Sequence, residues 1–292
     1  MELPSVVARP LASVSRAYVQ RFPVARGKGV VVRHVTPLLP VHYREFDAQL
    51  SGGGVVVLRF DEWLGRSYVQ HGSTFDPAEL AFLHDALSPG DVAIDVGANI
   101  GVYSVSTALR VGPAGRVIAV EADDEYVPRL RSNLARNGIE NATVVACAAG
   151  ASDGEVELVI AADRAFSSIK PLVSYRGAGR TRTVPLRRLD SIWADAGEPA
   201  VAAAKIDVEG AELEVFRGAR ELLARAHPIV IFEHVPAAAS LYDAPPGAPW
   251  ELLSELGYEV FSVTGDGPFS RADFLAAAEV VNWLATPTIN GG

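Results

Sequence analysis

The chain has 292 residues, 49% of them hydrophobic, and its 35 acidic against 26 basic side chains argue against nucleic acid as the main substrate. A single cysteine, Cys147, excludes an intrachain disulfide framework or a Cys-based zinc site and fits a reducing, cytoplasmic setting. The length accommodates one large α/β domain with an appended segment. Near the N-terminus, Arg9, Arg16 and Arg21 interrupt the apolar residues, so no membrane span or signal-peptide core is expected there. Residues 5–22 are amphipathic, broken by Pro10, and read as a surface helix or an arm. Residues 30–35, 41–46 and 55–60 are strand-like, with the turn Ser51-Gly52-Gly53-Gly54 between the last two. The expected division is therefore a small β-rich segment over residues 1–64 and the main domain over 65–292. Residues 66–72 read as a link to a helix with a defined start: Asp76 as N-cap, Pro77 in the first position and Glu79 completing a capping box. Ser88-Pro89-Gly90 ends that helix.

The most informative stretch follows, Asp91-Val-Ala-Ile-Asp95-Val-Gly97-Ala98-Asn99-Ile-Gly101. An apolar run, a glycine-flanked turn and a helical pattern make a strand–turn–helix unit, which gathers backbone N–H groups and the positive end of a helix at one point. Glu121 ends the next strand, about 20 residues on, where an acid grips a ribose. A dinucleotide fingerprint would need glycines at 99 and 102, where Asn99 and Val102 stand. S-adenosylmethionine carries no phosphate, and an amide that donates and accepts, with acids at Asp95 and Glu121, suits it better. Strands and helices then alternate: a helix over 124–137 closed by Gly138, a strand over 143–147, an excursion hairpin over about 155–189, and strands over 203–208, 228–233, 258–263 and 280–285. A helix over 210–226 separates the first and second of these last four strands. This alternation implies a mainly parallel, doubly wound sheet.

Ligands of such sheets lie outside the carboxyl ends of the strands. Asp95, Glu121, Asp207, Glu209, Glu233 and His234 all fall there. Lys205, Asp207 and Glu209 would share one face if the strand ran as far as 209, and three charges on a covered strand require a polar cluster at the rim with Lys205 paired to a carboxylate. Asp207 or His234 is a candidate general base, with Glu233 orienting the acceptor. Asp207 and Glu233 are alternatively candidate ligands of a divalent metal such as Mg²⁺. In the excursion, Ser167, Ser168, Lys170, Tyr175, Arg176 and Arg180 are candidates for a substrate lid, and Tyr68, Phe75, Tyr103, Phe166 and Tyr175 for stacking on a sugar.

Three stretches, over residues 89–101, 205–218 and 231–234, together with Asn282-Trp-Leu-Ala285 near the end, resemble the FkbM family of S-adenosylmethionine-dependent methyltransferases. The resemblance spans roughly residues 65–287. It implies a Rossmann-like class I methyltransferase fold, with a seven-stranded, mostly parallel sheet that has one antiparallel strand. It also implies O-methylation of a sugar, a glycoside or a secondary metabolite. Cofactor roles fall on Asp95, Gly97, Ala98, Asn99, Gly101, Glu121 and Ala122, with Ala148 and Ala149 near the adenine and Asp207 at the reacting end. The family pattern has an Asn near the third strand's end, where this chain reads Val-Ala-Cys147-Ala-Ala. Residues 1–64 carry no part of the resemblance. A nicotinamide-dependent oxidoreductase and a non-catalytic cofactor-binding protein of the same fold stay open as alternatives.

Overall fold

The structure is a computed structural model and describes residues 3–21, 34–35, 38–71, 77–161, 167–170, 180–242, 245–277 and 279–288. Helix α1 (Ser5–Arg21) runs through Pro10, whose ring lies exposed, so the segment is one helix rather than a broken arm. Its Ala8 and Ala12 pack on Leu39. After a short 3₁₀ turn at Val41–Tyr43, strands β1 (Glu45–Gln49) and β2 (Val55–Arg59) form an antiparallel hairpin. The strand expected from residue 41 thus begins only at Glu45. The strand expected over 30–35 and the N-cap at Asp76 lie outside the described residues, apart from positions 34 and 35. Most of the expected link at 66–72 belongs to helix α2 (Trp63–His71), and α3 (Pro77–Ala86) follows.

The main sheet begins with β3 (Val92–Val96), α4 (Val102–Val111), β4 (Arg116–Glu121), α5 (Tyr126–Arg136) and β5 (Ala142–Ala146). The excursion comprises β6 (Ala148–Ala149), β7 (Gly154–Ile160) and β8 (Arg180–Arg187), a separate three-stranded sheet in which β7 and β8 form the expected hairpin. Then come α6 (Leu189–Asp195), β9 (Ala203–Ile206), α7 (Glu212–Arg217) and α8 (Arg220–Ala226). The chain closes with β10 (Ile229–Glu233), α9 (Pro236–Ala239), α10 (Ala248–Glu255), β11 (Tyr258–Ser262), α11 (Arg271–Ala276) and β12 (Asn282–Pro287). The one helix expected over 210–226 is two. Gly218 sits against the Gly150 carbonyl with no room for a Cβ, and its own carbonyl accepts the Asp190 N–H at 2.8 Å. Asp190 then caps α8 from outside, accepting the Leu222 N–H at 2.9 Å.

Seven strands pair in the order β11-β12-β10-β9-β3-β4-β5. β12 is antiparallel to both its neighbours, and the other pairings are parallel. This is the sheet of a class I methyltransferase fold, with one reversed strand. Alternation along the strands divides the core into two layers. Ala93, Val117, Ala119, Ala203 and Ile231 pack on one face with α4, α5 and the hairpin; Ile94, Ile118, Ala204, Phe232 and Trp283 pack on the other with α6, α7, α8 and α10. The hairpin is bound to α5 by more than burial. Asn137 accepts the Val55 N–H (2.8 Å) and donates to its carbonyl (2.7 Å), while Asn133 accepts the Val57 N–H (3.0 Å). These amides take up the backbone groups an edge strand otherwise leaves unpaired.

Candidate functional site

The ends of β3, β4, β9 and β10 meet at one rim because the register aligns them: Val96 faces Val120 on one side and Ile206 on the other, and Ile206 faces Phe232. Between β3 and α4 the chain makes three left-handed residues, Gly97 (φ 79), Asn99 (φ 53) and Gly101 (φ 94). A side chain at Gly97 would run into the carbonyl of Asp207, and one at Gly101 into Leu130, so both positions need glycine. The Val120 carbonyl anchors the loop by accepting the N–H groups of Gly97 and Ala98, each at 3.0 Å. Asn133 supports it from behind, donating from Nδ2 to the Ile100 carbonyl at 2.8 Å.

Glu121 closes the loop. Its Oε2 accepts the Asn99 N–H at 2.6 Å and its Oε1 the Asp123 N–H at 2.7 Å. Each oxygen keeps a lone pair for a ligand hydroxyl. Burial pushes the carboxyl up to about 7, and the two backbone donors hold it back from going further. Asn99 turns its own Oδ1 onto the Ile100 N–H (2.8 Å), which stabilises its left-handed backbone.

Asp95 lies behind the loop. Its Oδ2 accepts from Ser104 at 2.5 Å, its Oδ1 is buried without a hydrogen-bond partner, and burial raises its pKa against the pull of Lys205. Lys205 stands opposite Asp95 in the register and is itself buried. Its Nζ lies 2.9 Å from Asp207 Oδ2 and 4.4 Å from the centroid of the Tyr103 ring. The expected pairing of Lys205 with a carboxylate is thus present. Strand β9 ends at Ile206, so Glu209 reaches the site through a turn in which its own φ is +56°. Carboxylate oxygens of Asp207, Glu209 and Glu233 all lie within 4.8 Å of one another. Burial, and then the charges of Asp207 and Glu233, push Glu209 up to about 9. Glu212 beneath accepts the N–H groups of Val208 and Gly210, both at 3.1 Å, and burial raises it to about 7.

These groups surround a cavity of about 300 Å³. Gly97, Ala98, Asn99, Glu121, Ala122, Ala148 and Ala149 line one part of it, and Lys205, Asp207, Glu209 and Glu233 another. Cys147 also lines it, its thiol pushed up to about 11 by burial. Asp95 and Gly101 shape the loop without lining the cavity. Among the lid candidates, Ser167 and Ser168 reach the wall; Lys170 lies 5.4 Å from the Tyr242 ring centroid, and Arg180 begins β8. Tyr175, Arg176, Phe75 and Phe166 lie outside the described residues.

The structure does not bring His234 to this cluster. Side chains alternate along β10, so Glu233 faces the cavity with Ile231, while His234 follows Phe232 to the opposite layer and stacks on Phe274 at 5.2 Å. Sequence reasoning missed Glu79 and Asn282, both of which line the cavity. Glu79 was accounted for by its capping role, and its burial, at 5% exposed, was the missing signal.

The Methyltransferase FkbM domain profile matches residues 95–260. The antimetabolite synthetase AmbE of Pseudomonas aeruginosa is 29% identical over 185 residues, covering 51% of this chain and 8% of that protein. The ribosomal protein L11 methyltransferase of Symbiobacterium thermophilum is 30% identical over 108 residues, 37% of this chain and 34% of that protein. The matches therefore span well under two thirds of either relative. Among solved structures, the methyltransferase FkbM of Methylobacillus flagellatus superposes with a TM-score of 0.45 at 16% identity, covering 97% of this chain and 59% of that one.

Proposed function

The chain belongs to the FkbM methyltransferase family, whose profile its residues 95–260 match, and on that footing we propose that it is an S-adenosylmethionine-dependent O-methyltransferase acting on a sugar, glycoside or secondary-metabolite hydroxyl. The observation that carries this reading is the charge of the cavity. Glu79, Glu121, Asp123, Asp207 and Glu233 line it, beside a Glu209 that is protonated at neutral pH, against Lys205 as the sole cationic side chain that lines it among the described residues. A pyrophosphate would be repelled there, which disfavours a nicotinamide dinucleotide, whereas a sulfonium is attracted.

The residues present fit the cofactor. Glu121 has free lone pairs for two ribose hydroxyls, Gly97 and Ala98 leave room at the loop, and Ala148 and Ala149 supply a small apolar wall for an adenine. When bound, S-adenosylmethionine supplies an electrophilic methyl group on sulfur. The chain's own part is to place the acceptor and take its proton. Lys205 holds Asp207 in position, and Asp207 takes the hydroxyl proton; such proton transfer contributes about 10²–10⁴-fold. Glu233 accepts a hydrogen bond from the acceptor, and Glu209, protonated at neutral pH, donates one. Holding the acceptor in line lowers the barrier further.

A second reading of the same cluster is a divalent metal such as Mg²⁺ held by Asp207, Glu209 and Glu233, favoured by three oxygen donors within 4.8 Å. Calorimetric titration tests the proposal. S-adenosylmethionine and its demethylated product should bind and NAD(H) should not; failure of both sulfur ligands would refute the reading. A screen of hydroxylated acceptors with Mg²⁺ and with EDTA then separates direct proton transfer from metal assistance.

A further inference from the structure

On the far side of β10 lies a second cavity of about 200 Å³, bounded by His234, Phe274, Trp283, Tyr242, Pro245 and Pro249. It shares a wall with the first: Glu209 and Ala211 face one cavity and Gly210 and Glu212 the other, just as Glu233 and His234 do. Two polar atoms in its walls are left over by the fold. His234 Nδ1 and Trp283 Nε1 are buried with no hydrogen-bond partner, and their side chains are 7% and 1% exposed. Leaving such groups unpaired in a protein interior is costly, so each such group calls for an explanation. Both rings lie against Phe274, at centroid distances of 5.2 and 4.4 Å, so the two orphans flank one aromatic surface.

The chemistry of the walls selects the occupant. No lysine or arginine among the described residues lines the cavity, which disfavours an anion. Burial holds the His234 imidazole below its ordinary range, so it is neutral near pH 7 and does not supply that charge. An indole N–H only donates, while a neutral imidazole offers one donor and one acceptor nitrogen. A hydroxyl satisfies both orphans, since it accepts from one and donates to the other. Glu212, Ser240 and Tyr242 add polar groups to the wall, and the rest is proline, alanine, leucine, valine and aromatic carbon, which suits a flat ring. A dry cavity of about 150 Å³ holds benzene, so this one has room for a single hydroxylated ring.

We propose that this cavity is a second ligand site, taking a small uncharged ring that bears a hydroxyl, separate from the cofactor cavity and adjoining it through the Glu209–Glu212 turn. The site stands on its own walls and does not depend on the chemistry assigned to the first cavity.

The test is calorimetric titration of the full chain with phenol and with benzene, run with and without saturating S-adenosylhomocysteine. Phenol should bind one to one under both conditions, and benzene about tenfold more weakly for want of the hydrogen bond. His234→Phe retains an aromatic ring against Phe274 and should weaken phenol about tenfold. Ala239→Leu, which fills the cavity from its rim, should abolish phenol binding while leaving S-adenosylhomocysteine affinity as it was. Competition between phenol and S-adenosylhomocysteine, equal binding of phenol and benzene, or an unchanged phenol affinity in both variants would overturn the proposal.

Discussion

Glu121 is held in a state the unliganded protein pays for, and replacing it by glutamine should expose that cost. Its carboxyl moves from an ordinary 4.5 to about 7 because burial disfavours the charged form. A raised folded-state value means that the folded protein holds this proton more tightly than the unfolded chain does. The associated stability is therefore fully present below about pH 4.5 and is lost as pH rises to about 7. The displacement corresponds to about 3 kcal/mol between those limits. Glu121→Gln keeps the shape but removes the titration. Chemical denaturation of both proteins at pH 5 and pH 8 isolates the contribution, because Glu209 and Glu212 titrate in both and cancel in the difference. The ligand-free variant should lose less stability than the parent on going from pH 5 to pH 8, by up to about 3 kcal/mol. In the same variant, S-adenosylmethionine affinity should fall about 10- to 100-fold, as expected on losing charged acceptors for ribose hydroxyls. Parallel pH dependence in the two proteins would refute the burial argument, and unchanged affinity would refute the ribose assignment.

Asn133→Leu should cost about 2–3 kcal/mol in denaturant unfolding, since it strands the Val57 N–H and the Ile100 carbonyl together. It should also weaken S-adenosylmethionine binding by loosening the loop, and an effect on stability alone would mean that the loop needs no support from α5. Gly97→Ala forces a methyl group against the Asp207 carbonyl at a left-handed position; calorimetry should find cofactor binding lost, and retained binding would show that the turn adapts. Glu233→Gln should lower turnover by about 10²-fold or more on an acceptor found by screening, with S-adenosylmethionine affinity within about twofold of the parent. A matched loss of affinity would instead place Glu233 against the cofactor.

Much of the α/β core was legible in the amino-acid order because it depends on local signals. The apolar runs at Val92–Val96 and Ile229–Glu233, the glycine turn at 97–101 and the acid at 121 all act within a few residues or at a characteristic spacing. That Lys205 pairs with a carboxylate followed from the expense of burying a lone charge, and the structure makes Asp207 that carboxylate. What the order of residues left undecided depended on which face each side chain took and on what packed against it. His234 and Glu233 are neighbours in sequence, and the place of β10 between β9 and β12 decides which cavity each of their alternating side chains enters. Glu209 joined Asp207 and Glu233 through a left-handed turn that no strand pattern announces. The division of the 210–226 helix came from the contact of Gly218 with Gly150, 68 residues away in the numbering. The support of the 97–101 loop by the hairpin through Asn133 was equally a matter of tertiary structure, because a side-chain amide finds its partners only once the elements that carry them have packed.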